Sequence, residues 1–389
     1  MPHGARPDVI VIGLGAVGSA AAWQLARRGL KVLGIDRWHP PHAMGSTHGE
    51  TRITRTAIGE GEQFVPLVRR SDEIWAELEE CNGPLGLRCG ALIIGAEGGS
   101  TMMHGRPGFV AGTVAAAQAF GVPHEVLTAA ECRSRFPAFH PADSDLVYYE
   151  PGAGMLFPER CVAAQLQAAR EAGAMLRTGE KMLHIENISG GVRVTTDKGV
   201  YEAAEAVLAA GAWSPGFAPA ALAHASVTRQ VLHWLQPQHP ALFEAGRCPV
   251  YIWAHGPTSD DSFYGFPLVP GAQANGVKVA DEQFLTTLEH PDHVNRDSSD
   301  AETDALHTDH LNGRLSGLSR TALRRATCLY TSTPDSSFIL DRLPGADAIT
   351  LVSACSGHGF KHSAAVGEQV ALMVHEGRRT PPKGFSAAA

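Results

Sequence analysis

The residues most able to do chemistry in this chain begin at GLGAVG, residues 13–18. Three glycines there leave a backbone that a ligand can approach closely. An apolar run from Asp8 to Ile12 leads straight into Gly13, Gly15 and Gly18, followed by a helix-forming stretch with Ala20, Ala21, Ala22, Leu25 and Ala26. A strand, tight turn and helix in that order aim free N–H groups and the positive helix end at a pyrophosphate. Asp36 closes the next apolar run, where a carboxylate accepts hydrogen bonds from ribose hydroxyls. The full context distinguishes a dinucleotide site from a glycine-rich packing turn, and it suits FAD and NAD equally.

Two further clusters carry charge. The polar loop 37–61 contains GSTHGETRITR, in which Arg52 and Arg55 share a face if the segment is helical but not if it is extended. Guanidinium forks suit carboxylates, against the plainer reading of two solvated arginines. Near the C-terminus SGHGFK, residues 356–361, stands before a helical stretch, so its N–H groups are free to face a ligand that gathers negative charge. A lysine at a helix start is electrostatically unfavourable, which makes Lys361 a residue to explain. His39, His42 and His48 lack any ligand framework, and no metal is expected. Seven cysteines without CxxC pairs argue against a disulfide framework.

These residues need elements to hold them. Helices are expected at 66–80, 161–174 and 361–377, and strands at 91–95, 146–150 and 348–354, with a hairpin and final strand across 192–213. Residues 221–324 differ: WLQP, YIWAHG and SFYGFPLV suggest antiparallel strands, and the charged stretch 290–310 reads as solvated surface. The chain of 389 residues, 44% hydrophobic, supports two cores. Its net charge of −8 argues against nucleic acid or an anionic membrane as partner. MPHGARP lacks the apolar core of a secretory signal, and no apolar run has the length of about 18 residues that a membrane span needs, so a soluble cytoplasmic protein is expected.

Taken together, DVIVIGLGAVGSAA, GSTHGETRITR, VLAAGAW, YGFP, ATCLYTSTPD and SGHGFKHSAAVGE resemble the monomeric sarcosine oxidase and N-methyltryptophan oxidase family of flavoproteins, in order from about residue 8 to residue 376. The resemblance implies an α/β Rossmann-like FAD-binding domain (1–85, 150–220 and 325–389) with an inserted α+β substrate domain built on an antiparallel sheet (86–149 and 221–324). It implies a monomer that uses FAD and O2 to oxidise a small N-methyl amino acid, sarcosine first, yielding formaldehyde and H2O2.

By the same resemblance Cys328 forms a thioether to the flavin, and Arg324 and Arg325 close before it favour the thiolate. Arg52 lies against the flavin, while Arg55 and Lys361 bind the substrate carboxylate. Arg37, Ser46, Thr47, Met182, Gly211, Gly357 and Gly359 join Gly13, Gly15, Gly18, Asp36 and Lys361 around the cofactor. Lys278, in GVKVADE, activates O2. Tyr264, Tyr330 and His358 line the pocket. Glu282 stands where sarcosine oxidases have a histidine; a carboxylate there binds a protonated amine more strongly and disfavours the neutral one, and the pocket admits larger side chains. The rivals are a related oxidase or dehydrogenase taking N-methyltryptophan, proline or a D-amino acid, a non-catalytic flavin module, and an NAD-dependent dehydrogenase.

Overall fold

The computed structural model describes residues 6–96, 102–269, 271–272 and 274–386. Val9–Ile12 is buried along its whole length, as a strand covered on both faces must be. Val9 and Val11 pack with the helices Ala16–Ala26 and Ser363–His375, while Ile10 and Ile12 pack on the opposite face with Met182, Val192 and Val194. The strand is central in a six-stranded sheet with the order Met175–Thr178, Val32–Asp36, Val9–Ile12, Glu205–Leu208, Ala346–Ser353, Ile339–Leu343, parallel except for the last pair. The layer over its second face is a small antiparallel sheet, Met182–Ile188, Gly191–Thr196 and Val200–Ala203. The stretch expected to form a hairpin thus supplies two strands of this layer and then the strand Glu205–Leu208 of the parallel sheet.

An eight-stranded sheet forms the second body, in the order Leu318–Ser332, Ser226–Pro237, Val277–Asp281, Ser262–Gly265, Val250–Ala254, Ala91–Ala96, Asp145–Glu150, Glu125–Leu127. Only Val250–Ala254 and Ala91–Ala96 run parallel. Side chains alternate across a strand. Val277 and Val279 therefore join the core that holds Trp253 and Phe263, while Ala280 packs with Leu232, Trp234 and Cys328 on the other face. Lys278, Tyr264, Cys328 and Tyr330 face the parallel-sheet body by the same rule. Leu318–Ser332 is one continuous strand, so the chain leaves the large sheet only after Ser332, beyond the expected 324/325 division.

The helices lie close to the sequence expectation, at Val65–Asn82, Pro158–Glu171 and Ser363–His375. Among the described residues no helix is long and apolar enough to cross a membrane.

Candidate active site

A cleft of about 1390 Å3, partly open to solvent, runs along the carboxyl ends of the parallel strands. It is lined by Gly13, Gly15, Asp36, Arg37, Ser46, Thr47, Arg52, Met182, Gly211, Gly357 and Gly359, eleven of the residues expected around a cofactor. Gly18 lies beneath: a Cβ there would sit 1.7 Å from the carbonyl oxygen of Gly13, so only glycine permits the turn and helix to close together. No side chain caps the helix that starts at Ala16, leaving its first N–H groups for a ligand. Asp36 accepts from the N–H groups of Leu14 and Trp38, each at 2.8 Å, and each carboxylate oxygen keeps further acceptor capacity for a ribose. This cradle fits a dinucleotide.

The cleft continues to Arg52, Tyr330 and Cys355. Arg52 lies on the short strand Arg52–Thr54, an extended segment that sends it and Arg55 different ways. Its guanidinium donates to Ser46 O at 2.6 Å and Thr51 O at 2.8 Å, and lies 3.7 Å from Cys328 Sγ. Burial pushes the Cys328 thiol up, and Arg52 only partly offsets that. Arg324 and Arg325 do not help, contrary to expectation. Arg324 pairs with Glu50 at 2.7 Å and covers Trp234, and Arg325 pairs with Asp300 at 2.8 Å. Four residues of strand put Arg324 about 13 Å along from Cys328, and the odd offset turns Arg325 to the opposite face. Cys328 is buried behind Ser46, 3.4 Å from its carbonyl oxygen. Lys278 lies deeper still, donating to Gly49 O (2.7 Å), Thr51 O (2.9 Å) and Thr51 Oγ1 (3.2 Å). Burial, then Arg52, hold its pKa well below the usual lysine value.

A second cavity of about 500 Å3 shares Arg52, Tyr330, Gly357 and Phe360 with the cleft. Arg55, Glu60, His104, Tyr264, Glu282, His358 and Lys361 complete its polar lining. Arg55 is fully buried and forks onto Glu60, 2.6 Å away, and the carbonyl of Ala57, leaving its Nε without a partner. Burial opposes the Glu60 charge, but Arg55 and then Lys361 outweigh it and hold that carboxyl well below the usual range. Lys361 donates one hydrogen bond, to His358 O at 2.8 Å, and lies 3.9 Å from Glu60; burial lowers its pKa to about 8. Burial keeps His358 neutral, with Nε2 at 2.9 Å from Ser336 O and its ring stacked on Phe338. Tyr330 donates to Glu282 Oε1 at 3.2 Å, with the Tyr264 hydroxyl 3.5 Å away.

Glu60 and His104 were not visible as site residues in the sequence. Glu60 lies outside any periodic element, and only its burial against Arg55 exposes its role. His104 sits at a hairpin tip, and its Nε2 lies 3.0 Å from Glu282 Oε2. Part of the charged 290–310 stretch also proves to be more than solvated surface. Asp292 takes a two-point bond from Arg37 (2.7 and 2.9 Å) and one from Trp213 Nε1 (2.9 Å), while Arg296 donates to Met44 O at 2.6 Å. These bonds tie residues 292–296 to both walls of the cleft. In a Cys328→Ala background, where no thioether can hold the flavin, adding Asp292→Ala should loosen that clasp and raise the rate of flavin loss several-fold in dilute, non-denatured protein; an unchanged rate, followed by flavin fluorescence, would dismiss the clasp.

A glycine-turned cleft on a parallel sheet, opening into a cationic, tyrosine-lined pocket on a second sheet, defines a dinucleotide-dependent oxidoreductase with a small-molecule site. Residues 8–373 match the FAD dependent oxidoreductase family, and the chain belongs to that family. It is similar to the monomeric sarcosine oxidase of Streptomyces avermitilis, with 38% identity over 97% of this chain and 96% of that protein. It is also similar to the N-methyl-L-tryptophan oxidase of Yersinia pestis, with 34% identity over 95% of each. Among solved structures, NikD, described as an unusual amino acid oxidase essential for nikkomycin biosynthesis, superposes with a TM-score of 0.85 at 26% identity, covering 99% of this chain and 98% of that one.

Proposed function

We propose that this protein oxidises the C–N bond of an N-methyl amino acid, with sarcosine the first candidate, using FAD and O2 and releasing H2O2. The observation that carries the reading is Lys361: a buried ammonium with a single hydrogen bond among the described residues, in a cavity that shares its wall with the dinucleotide cleft. Buried cations keep unfilled donors where an anion is to bind. FAD, held by the Gly13–Gly18 turn, Asp36 and the Gly357–Gly359 turn, would supply the redox chemistry, a two-electron acceptor for the carbon beside the amine that O2 can reoxidise. The chain's own residues do the rest. Lys361 and the Nε of Arg55 fix the substrate carboxylate, while Tyr264, Tyr330 and His358 wall the pocket. Glu282 faces the nitrogen, and Arg52 with Lys278 behind it supplies a positive field for charge developing on oxygen. Cys328 is the tether, its strand bringing it beside Arg52. Seven free cysteines suit a monomer working in the cytoplasm.

Purified protein should be yellow, and acid precipitation should leave the colour in the pellet with added flavin mass on the Cys328 peptide. H2O2 yield across sarcosine, N-methyltryptophan, proline and D-amino acids then ranks the substrates; no peroxide from any secondary amino acid would sink the reading. Lys361→Met is expected to raise KM about 10- to 10²-fold, as losing a charge-assisted hydrogen bond worth about 1.5–3 kcal/mol implies. Because its folded pKa is lowered to about 8, Lys361 loses its charge as pH rises through that value. Wild-type kcat/KM should therefore fall above about pH 8, and the same falling limb in Lys361→Met would assign it to another group.

A further inference from the structure

His104 is a buried side chain of the pocket that the proposed function leaves unused. It occupies the tip of the hairpin Met102–Met103 to Arg106–Pro107, where His104 (φ 48°) and Gly105 (φ 71°) are the two central residues. Two left-handed residues in succession make the tight turn that hairpins favour, at a conformational cost for the histidine. That turn inserts the imidazole between two carboxylates: Nδ1 lies 3.3 Å from Glu60 Oε1 and Nε2 3.0 Å from Glu282 Oε2. Neither contact is aligned as a hydrogen bond, so the imidazole and Glu282 Oε2 retain unspent bonding capacity. A Cβ on Gly357 would lie 2.9 Å from His104 Nε2 and 3.3 Å from Glu282 Oε1, so the bare Gly357 backbone keeps the floor beneath this pair open.

We propose that Glu282 and His104 form a pair that reads the charge on the substrate nitrogen. Glu282 receives the nitrogen as an ammonium, and His104, which shares that carboxylate, gives its proton up to solvent when the ammonium arrives. The inference rests on the amino-acid oxidase reading above and makes His104 a positioning residue. The exchange balances: one cation, the ammonium, replaces another, the imidazolium, beside the same carboxylate, and one proton leaves the site.

The surrounding charges fit this exchange. Burial alone would strip the His104 proton, but Glu282 and then Glu60 outweigh it and raise the pKa to about 9. Of the other groups facing the pair, His358 is neutral, with its ring 5.6 Å from that of His104, and Tyr330 hydrogen-bonds Glu282 as a phenol. Arg55 and Lys361 stand beyond Glu60 and hold its charge. A second cation beside Glu282 therefore meets an imidazolium that, among the described residues, Glu282 and Glu60 keep charged. An uncharged ligand leaves that imidazolium in place.

The test uses the flavin-loaded enzyme and two ligands that cannot be converted to an imine. Trimethylammonioacetate has a fixed positive nitrogen, and (methylthio)acetate puts neutral sulfur in its place. Calorimetric titration at pH 7.5 in buffers of different ionisation enthalpy counts protons. Wild type should release about one proton more with the ammonium ligand than with the thioether, as linkage requires. His104→Asn should remove that difference, and Glu282→Gln should cut the preference for the ammonium ligand at least about tenfold, a factor equal to about 1.4 kcal/mol. Equal proton counts for the two ligands in wild type, or an unchanged preference in Glu282→Gln, overturns the pair while leaving the oxidase reading intact. Failure of both ligands to bind overturns the oxidase reading as well. The wild-type comparison stands even if the variants do not fold.

Discussion

Lys278→Met is expected to slow reaction with O2 by about 10²- to 10³-fold, the range found when one preorganised electrostatic group is removed. The amine half of the reaction should change far less, because Lys278 lines neither the cleft nor the substrate cavity. Its ammonium is held by Gly49 and Thr51, directly behind Arg52, and covers the Phe266 ring at 4.6 Å. It therefore acts through its field, which weakens little in a buried, low-dielectric setting. Burial and Arg52 lower its pKa well below 10.5, so the positive charge is lost as pH rises through that depressed value. Oxygen reactivity should fall in the same direction in wild type and lose this pH dependence in Lys278→Met. Separate rapid-mixing measurements of the two half-reactions check this, and equal slowing of both would remove Lys278 from the oxygen step.

Arg55→Ala should cost about 3–5 kcal/mol of stability, the usual penalty for stranding one partner of a buried ion pair. The stranded group is Glu60, whose strongest partner is Arg55 at 2.6 Å. Lys361 at 3.9 Å and His104 at 3.3 Å remain, but neither replaces a guanidinium bond in a fully buried position. The sign with pH follows from the depressed Glu60 pKa. Its stabilisation is present above the ordinary value of 4.5 and is lost only as pH falls through the lower folded value. Adding Glu60→Gln to Arg55→Ala should recover part of the loss, since the carboxylate is then no longer stranded, while Lys361 gives up its nearest carboxylate. Denaturant unfolding of the single and double variants at pH 7 measures both; a single variant as stable as wild type would mean that Arg55 is free for substrate alone. Weaker substrate binding by Arg55→Ala is thus to be interpreted only beside its stability.

How much of the site could be read beforehand depended on periodicity and motif. The turn at Gly13–Gly18, the acid Asp36 and the helix after SGHGFK each belong to one local unit, whose spacing states its own geometry. The alternation around Lys278, between Val277 and Val279, likewise fixes which face it takes once the segment is a strand. Arg52 and Arg55 were undecided because three-residue spacing means different things in a helix and in a strand, and Arg52–Thr54 is a strand. Charge assignments by sequence neighbourhood failed at Arg324 and Arg325, because an extended strand carries consecutive residues apart and to alternate faces.

The amino-acid sequence by itself determined the dinucleotide turn, the resemblance to flavoprotein oxidases and, through that resemblance, much of the polar lining of the two cavities. The turn follows from local order, and the lining residues follow from the ordered motifs that carry the resemblance. Only the tertiary structure decided which charges meet: that Glu60 holds Arg55, that Arg52 reaches Cys328, and that His104 and Glu282 share one buried space. Ion pairing in a dry interior depends on three-dimensional distance and on exclusion of water, and neither is written in the separation of residues along a chain.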